Sequence, residues 1–181
     1  MNPVPLIRAA RIRGRVRQLG RELAGAFAGN PGRVPAIVAL LDGSFCFVAD
    51  LVRAIPVPDL RLHFARAASY HGGTVSSGSV TIDALPSCVG ADVLVVDDIL
   101  DTGRTLAAVV AALHAGGAAR VRTCVLLDKP ARRVPVDGVR LRADFVGFTI
   151  PDRFVVGYGL DHDGRYRHLP DVCVLDGVAI A

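Results

Sequence analysis

The chain has 181 residues, 51% hydrophobic and 21% charged, which is enough apolar surface for a single domain core and argues against disorder. Its apolar runs are far shorter than the ~20 residues a bilayer span needs, and its N-terminal arginines follow a short apolar patch, unlike a secretory leader. A net charge of +4 suits anionic ligands without separating nucleotides from nucleic acid, and four cysteines (Cys46, Cys88, Cys124, Cys173) without a CxxC pair fit free thiols in a reducing cytoplasm better than zinc or disulfides.

In chain order, the pattern first predicts an amphipathic helix, with Ile7, Ala10, Val16, Leu19, Leu23 and Phe27 interleaved with arginines and Asn30-Pro31-Gly32 ending it. VPAIVALL then reads as a buried strand, Asp42-Gly43-Ser44 as a turn, and FCFVADLVRAI as a helix. ADVLVVDD, the turn from Asp101 to Thr105 and TLAAVVAALHAGG repeat that arrangement, and VRTCVLL is a third apolar run. Strands alternating with helices predict βαβ units and an α/β fold with a mostly parallel sheet covered on both faces. Between the first two units, SYHGGTVSSGS lies between alternating stretches near Leu60–Ala67 and Val80–Ala84. This predicts a flexible hairpin lid spanning about 62–84.

The segment from Asp97 to Thr105 carries the most chemistry. Its strand ends in two acids, Asp97 and Asp98, at the carboxyl edge of the sheet, where open α/β sheets bind ligands. Asp101-Thr102-Gly103-Arg104-Thr105 then turns into a helix whose first amides, with two threonine hydroxyls, can cradle a phosphate. Simple helix capping leaves the two further acids unexplained. A P-loop requires glycine five positions before Gly103, where this chain has Asp98, an acid that would repel a triphosphate. A ligand with one phosphate and neighbouring hydroxyls fits: the loop takes the phosphate, and the acids accept from ribose hydroxyls.

On these residues, VLVVDDILDTGRTL (Val93–Leu106), the chain resembles the type I phosphoribosyltransferases, whose signature is this acid pair followed by DTG[KR]T. LLDGSFCFVADLVRAI, SYHGGTVSSGSV, LLDKPARR and ADFVGFTIPDRFVVGYGLDHDGRYRHLP are similar to segments of the hypoxanthine-guanine members. The resemblance implies one domain over 1–181, with a small hood formed by the N-terminal helix and the C-terminal segment. It implies a cytoplasmic purine-salvage enzyme, usually dimeric or tetrameric in the family. Such an enzyme moves 5-phosphoribose from phosphoribosyl pyrophosphate to N9 of hypoxanthine or guanine and releases pyrophosphate.

Residue roles follow from the same resemblance. Asp97 and Asp98 would hold ribose and its metal, Asp101 would partner purine N7, and Thr102, Gly103, Arg104 and Thr105 would bind the phosphate. Lys129, the one lysine beside twenty arginines, would donate to the purine 6-oxo group, with Phe154 stacking on the base and the Val155 backbone reading its edge. Asp161 would ligate Mg2+, a hard cation suited to carboxylate and phosphate oxygens, and Arg167 would face pyrophosphate. Asp42, Gly43 and Ser44 match the pyrophosphate loop, and Ser69 and Tyr70 the base of the lid. Asp42 departs from many relatives, which carry a basic residue there. Transferases for xanthine or uracil are the nearest alternatives. A regulator that senses the sugar pyrophosphate and binds nucleic acid has only the basic stretch from Arg8 to Arg21 in its favour.

Overall fold

The computed structural model describes residues 2–28, 35–69, 80–83, 85–175 and 177. Its main sheet runs in the order β4-β3-β2-β5-β6-β7, built from β2 (Pro35–Leu41), β3 (Arg61–Ser69), β4 (Val80–Asp83), β5 (Asp92–Leu100), β6 (Arg120–Asp128) and β7 (Phe145–Thr149). All neighbours are parallel except β3 and β4, the antiparallel pair that flanks the expected lid.

Continuous apolar strands buried on both faces explain this layering. Ile37 and Ala39 of β2 join one core with Leu94 and Val96 of β5. Their neighbours Ala36, Val38, Leu40, Val93 and Val95 join a second core on the opposite face. Helix α1 (Ala9–Ala28) and helix α2 (Phe45–Ala54) supply apolar side chains to the first core. Helix α3 (Arg104–Ala115) supplies Leu106, Val109 and Leu113 to the second.

Connectivity locates the binding edge. From β2 the chain crosses through α2 to β3 on one side, and from β5 through α3 to β6 on the other. The sheet order therefore reverses between adjacent strands β2 and β5, and a crevice opens beyond their carboxyl ends.

A second sheet, β1 (Val4–Ile7), β9 (Val172–Val174) and β8 (Val155–Val156), is antiparallel. It joins the N-terminus to the C-terminal segment. Strand β1 makes the N-terminal contribution, whereas α1 packs on α2 and β7 beside the main sheet. Ile7 accordingly lies in a strand rather than in the helix, and Ala10 is exposed. The buried stripe of α1 is Ile12, Val16, Leu19, Leu23 and Phe27. Asp171 joins the two parts, accepting from the Ala9 amide at 2.7 Å and from Arg8 at 3.2 Å. The Tyr158 hydroxyl donates to Asp50 of α2 at 2.6 Å, and burial, then that bond, hold the phenol far above its ordinary pKa. All four cysteines are free. No helix among the described residues is long and apolar enough to cross a membrane.

Candidate active site

A cavity of about 420 Å³ opens at the β2/β5 reversal, within the range of small-ligand sites. Asp97, Asp98, Asp101, Thr102, Gly103 and Thr105 line it from β5 and the following turn, Asp42 and Gly43 from the end of β2, and Asp161 and Arg167 from the segment between β8 and β9. Residues far apart in the chain thus share one wall-to-wall space because two crossovers diverge there.

The acid pair sits at the strand end. The Asp98 amide donates to Asp97 Oδ1 at 2.9 Å, and the Ile99 amide to Asp98 Oδ1 at 2.8 Å. Withdrawal from water, followed by the charge of Asp98, pushes Asp97 well above the usual carboxylate range. Withdrawal from water raises Asp98 too, while hydrogen bonds and the Arg167 charge pull it back.

Gly103 caps α3 with φ +90°, a left-handed conformation that suits glycine. The Thr102 hydroxyl accepts from the Arg104 amide at a long 3.5 Å. Gly43 approaches the acids closely: a Cβ there would lie 1.7 Å from Asp98 Oδ2. A Cβ on Gly159 would in turn meet the Gly43 carbonyl oxygen at 2.2 Å. Asp161 Oδ1 pairs with Arg167 at 2.9 Å and its Oδ2 accepts from the Gly164 amide at 2.8 Å, while Arg167 also donates to the Gly159 carbonyl at 2.7 Å.

Several expected residues stand elsewhere. Ser44 is fully buried and donates to the Leu40 carbonyl, so its hydroxyl braces the turn rather than facing the cavity. Arg104 is exposed and lines a separate groove with Val80 and Leu141. Lys129, Phe154 and Val155 are absent from the cavity lining. Lys129 is only 4% exposed, with its amide bonded to the Leu100 carbonyl at 3.0 Å directly behind Asp101. Val155 belongs to the core that includes α1 and α2, and the ring of Phe154 stands edge-on to His162 at 5.3 Å. Ser69 ends β3, and Tyr70 lies outside the described residues. Asp97, Asp98 and Asp161 share the cavity, but among the described residues no group of three potential metal ligands gathers closely enough to hold an ion by itself.

Three arginines escape the sequence pattern. Arg132 lines the cavity and pairs with Asp101 Oδ1 at 3.3 Å. Arg133, 8% exposed, donates to the backbone carbonyls of Asp101 at 3.1 Å, Leu100 at 3.0 Å and Leu141 at 3.0 Å, and also pairs with Asp128. Arg66, opposite Leu41 in the β2–β3 register, pairs with Asp42 at 3.1 Å, so the acid in the pyrophosphate-type loop has a counter-ion. The signal for the first two was a pair of arginines one turn after a strand end, with Pro130 starting that turn. Only the strand register reveals the third.

Of the basic stretch from Arg8 to Arg21, Arg13, Arg17 and Arg21 are exposed and line a groove beside Asp50 and Arg53 of α2, while the others make contacts within the fold. Arg8 pairs with Asp171, Arg11 lies over Phe148, and Arg15 binds Glu22 and the carbonyls of Val146 and Gly147 on β7.

A phosphoribosyl transferase domain model matches residues 12–163, and the chain belongs to that family. The chain spans 25% of the length of the bifunctional protein TilS/HprT of Listeria innocua, with 43% identity over 172 residues, or 94% of this chain. It is also 43% identical over 169 residues to the hypoxanthine phosphoribosyltransferase of Salmonella typhimurium, covering 92% of each chain. The structure of the Trypanosoma cruzi hypoxanthine phosphoribosyltransferase in complex with the product IMP matches with a TM-score of 0.85 and 37% identity, over 96% of this chain and 94% of that one. Within the family, the chain therefore falls with the hypoxanthine phosphoribosyltransferases.

Proposed function

We infer that the protein transfers 5-phosphoribose from phosphoribosyl pyrophosphate to N9 of hypoxanthine or guanine, giving IMP or GMP and pyrophosphate. The carrying observation is the single cavity joining the acid pair, the Asp101–Thr105 turn and the Asp42-Gly43 turn. The Salmonella and Trypanosoma relatives named for the hypoxanthine reaction support the choice of base.

Cleavage of the C1–O bond leaves positive charge on the ribose ring and negative charge on pyrophosphate, so positioning and electrostatics supply most of the catalysis. The amides at the start of α3 and the hydroxyls of Thr102 and Thr105 hold the 5-phosphate. Asp97 and Asp98 accept from the ribose hydroxyls. Gly43 and its neighbours present backbone to pyrophosphate, and Arg167 adds a planar donor fork. Asp101 accepts the hydrogen of purine N7. Lys129 donates to the 6-oxo group, which disfavours adenine because its amino group offers a second donor. Phe154 packs on the base and Val155 reads its edge through the backbone, while Ser69 and Tyr70 belong to the lid.

The donor set fits Mg2+, which keeps much of its water and takes only one or two carboxylates together with substrate phosphates. Asp97, Asp98 and Asp161, which share the cavity, are the carboxylates from which its one or two protein ligands would come, the sugar pyrophosphate supplying further oxygens. Bound there, it would neutralise charge developing on the pyrophosphate. We place the protein in the cytoplasm as a homodimer or homotetramer, by likeness to its family.

The test is to mix the protein with magnesium, phosphoribosyl pyrophosphate and each base in turn, following nucleotide formation. Turnover with hypoxanthine or guanine is expected; turnover restricted to xanthine, adenine or uracil would displace this assignment.

A further inference from the structure

Asp101 is held from two directions by consecutive arginines. After Lys129, the one-turn helix Pro130–Arg132 folds back along the phosphate turn, tied by Lys129 N to Leu100 O at 3.0 Å and Val134 N to Thr102 O at 3.1 Å. This places Arg132 and Arg133 against Asp101, but they do different things. Arg133 is buried and spends its donors on three carbonyls and Asp128, so it fixes the backbone of the turn. Arg132 reaches the side chain instead: its Nε donates to Asp101 Oδ1 at 3.3 Å, inside the cavity that both residues line.

Stability is a poor explanation for that contact. The two side chains are 26% and 33% exposed, and ion pairs with such access to water contribute little to folding. Orientation is a better one. A carboxylate has two oxygens with about four acceptor sites, so engaging Oδ1 restricts the rotation of the group and leaves Oδ2 to accept from a ligand. The guanidinium has its donors in a rigid plane, so it fixes direction as well as supplying charge.

We propose that Arg132 is a positioning residue for the transfer reaction, clamping Asp101 through Oδ1 so that Oδ2 is presented to the purine N–H. The inference rests on the reading of Asp101 as the purine partner. Arg132 then acts through Asp101 and not on the sugar pyrophosphate.

The experiment compares wild type, Arg132→Met, Arg132→Lys, Asp101→Asn and the Arg132→Met/Asp101→Asn pair. It measures kcat, KM for hypoxanthine, and phosphoribosyl pyrophosphate affinity by titration. Arg132→Met is expected to lower kcat/KM for hypoxanthine about tenfold, a part of the ~10²-fold that a 1 Å misplacement of a reacting group can cost. Sugar pyrophosphate affinity should stay within about twofold, which also reports an intact fold. Arg132→Lys should recover part of the loss. In the Asp101→Asn background, Arg132→Met should have almost no further effect, since interacting residues are non-additive. Weakened sugar pyrophosphate affinity with unchanged kcat would make Arg132 a phosphate ligand and overturn the proposal. Full additivity with Asp101→Asn would also overturn it. If Asp101→Asn alone is silent, the underlying reading of Asp101 fails instead.

Discussion

The sugar-phosphate side and the purine side of the site, as proposed above, are built by different means. On the first, one unbroken segment carries Asp97 and Asp98 along the end of β5, turns through Asp101 to Gly103 and enters α3. A single backbone path fixes the spacing of acids, turn and helix amides. On the second, Lys129 follows β6 in the main sheet, whereas Val155 starts β8 in the small sheet with Phe154 just before it. Their relation depends on how two sheets pack. On the proposed roles, sugar recognition depends on one local path and base recognition on separate elements.

The sharpest test of this division is Asp101→Asn, at the border between the halves. It should lower kcat by ~10²-fold or more, as loss of a proton-accepting group does, while leaving phosphoribosyl pyrophosphate binding largely intact. Near-normal turnover in steady-state assays would remove Asp101 from the purine side.

Lys129→Met should act on base recognition alone. Loss of a hydrogen bond from a charged donor costs about 1.5–3 kcal/mol, or roughly 10–10²-fold in kcat/KM for hypoxanthine. An equal fall in sugar pyrophosphate affinity would break the comparison.

Asp97→Asn probes what the sugar-phosphate side costs the fold. Asp97 is raised above its ordinary value near 3.9, so the native chain holds a proton that the unfolded chain releases. Its penalty therefore grows as pH rises above about 4 and is complete once the native carboxyl ionises. In thermal melts without ligand, the variant should gain about 1 kcal/mol at neutral pH, a Tm rise of roughly 2–4 °C, and almost nothing near pH 4. An identical gain at both pH values would refute the charge explanation.

The smallest effect is expected at Asp42, whose pair with Arg66 is exposed. Asp42→Lys should tighten pyrophosphate by about two- to fivefold, within the range of surface charge effects. Unchanged or weaker affinity in a titration would remove that side chain from anion binding.

The same division explains what the sequence makes legible. The parallel sheet, the β3–β4 pair and the phosphate turn all follow from local periodicity and short motifs, because each is a strand, turn or helix continuous in the chain. Strand β1 escapes notice because four residues have little periodicity and pair with β9 at the far end of the chain. Burial of Ser44 and the outward placement of Arg104 depend on how a turn settles, not on residue type. Arg132 and Arg66 gain their meaning only from a reversal of the chain and a strand register. Lys129 stands out by its rarity, which says nothing about its 4% exposure.

The stacked approach of Gly159, Gly43 and Asp98 has a bearing on protein engineering. Three segments from different parts of the chain touch with no room for a methyl group between them. Anyone retargeting this scaffold by loop grafting would have to transplant all three as one block, since a replacement for any one inherits the shape of the other two.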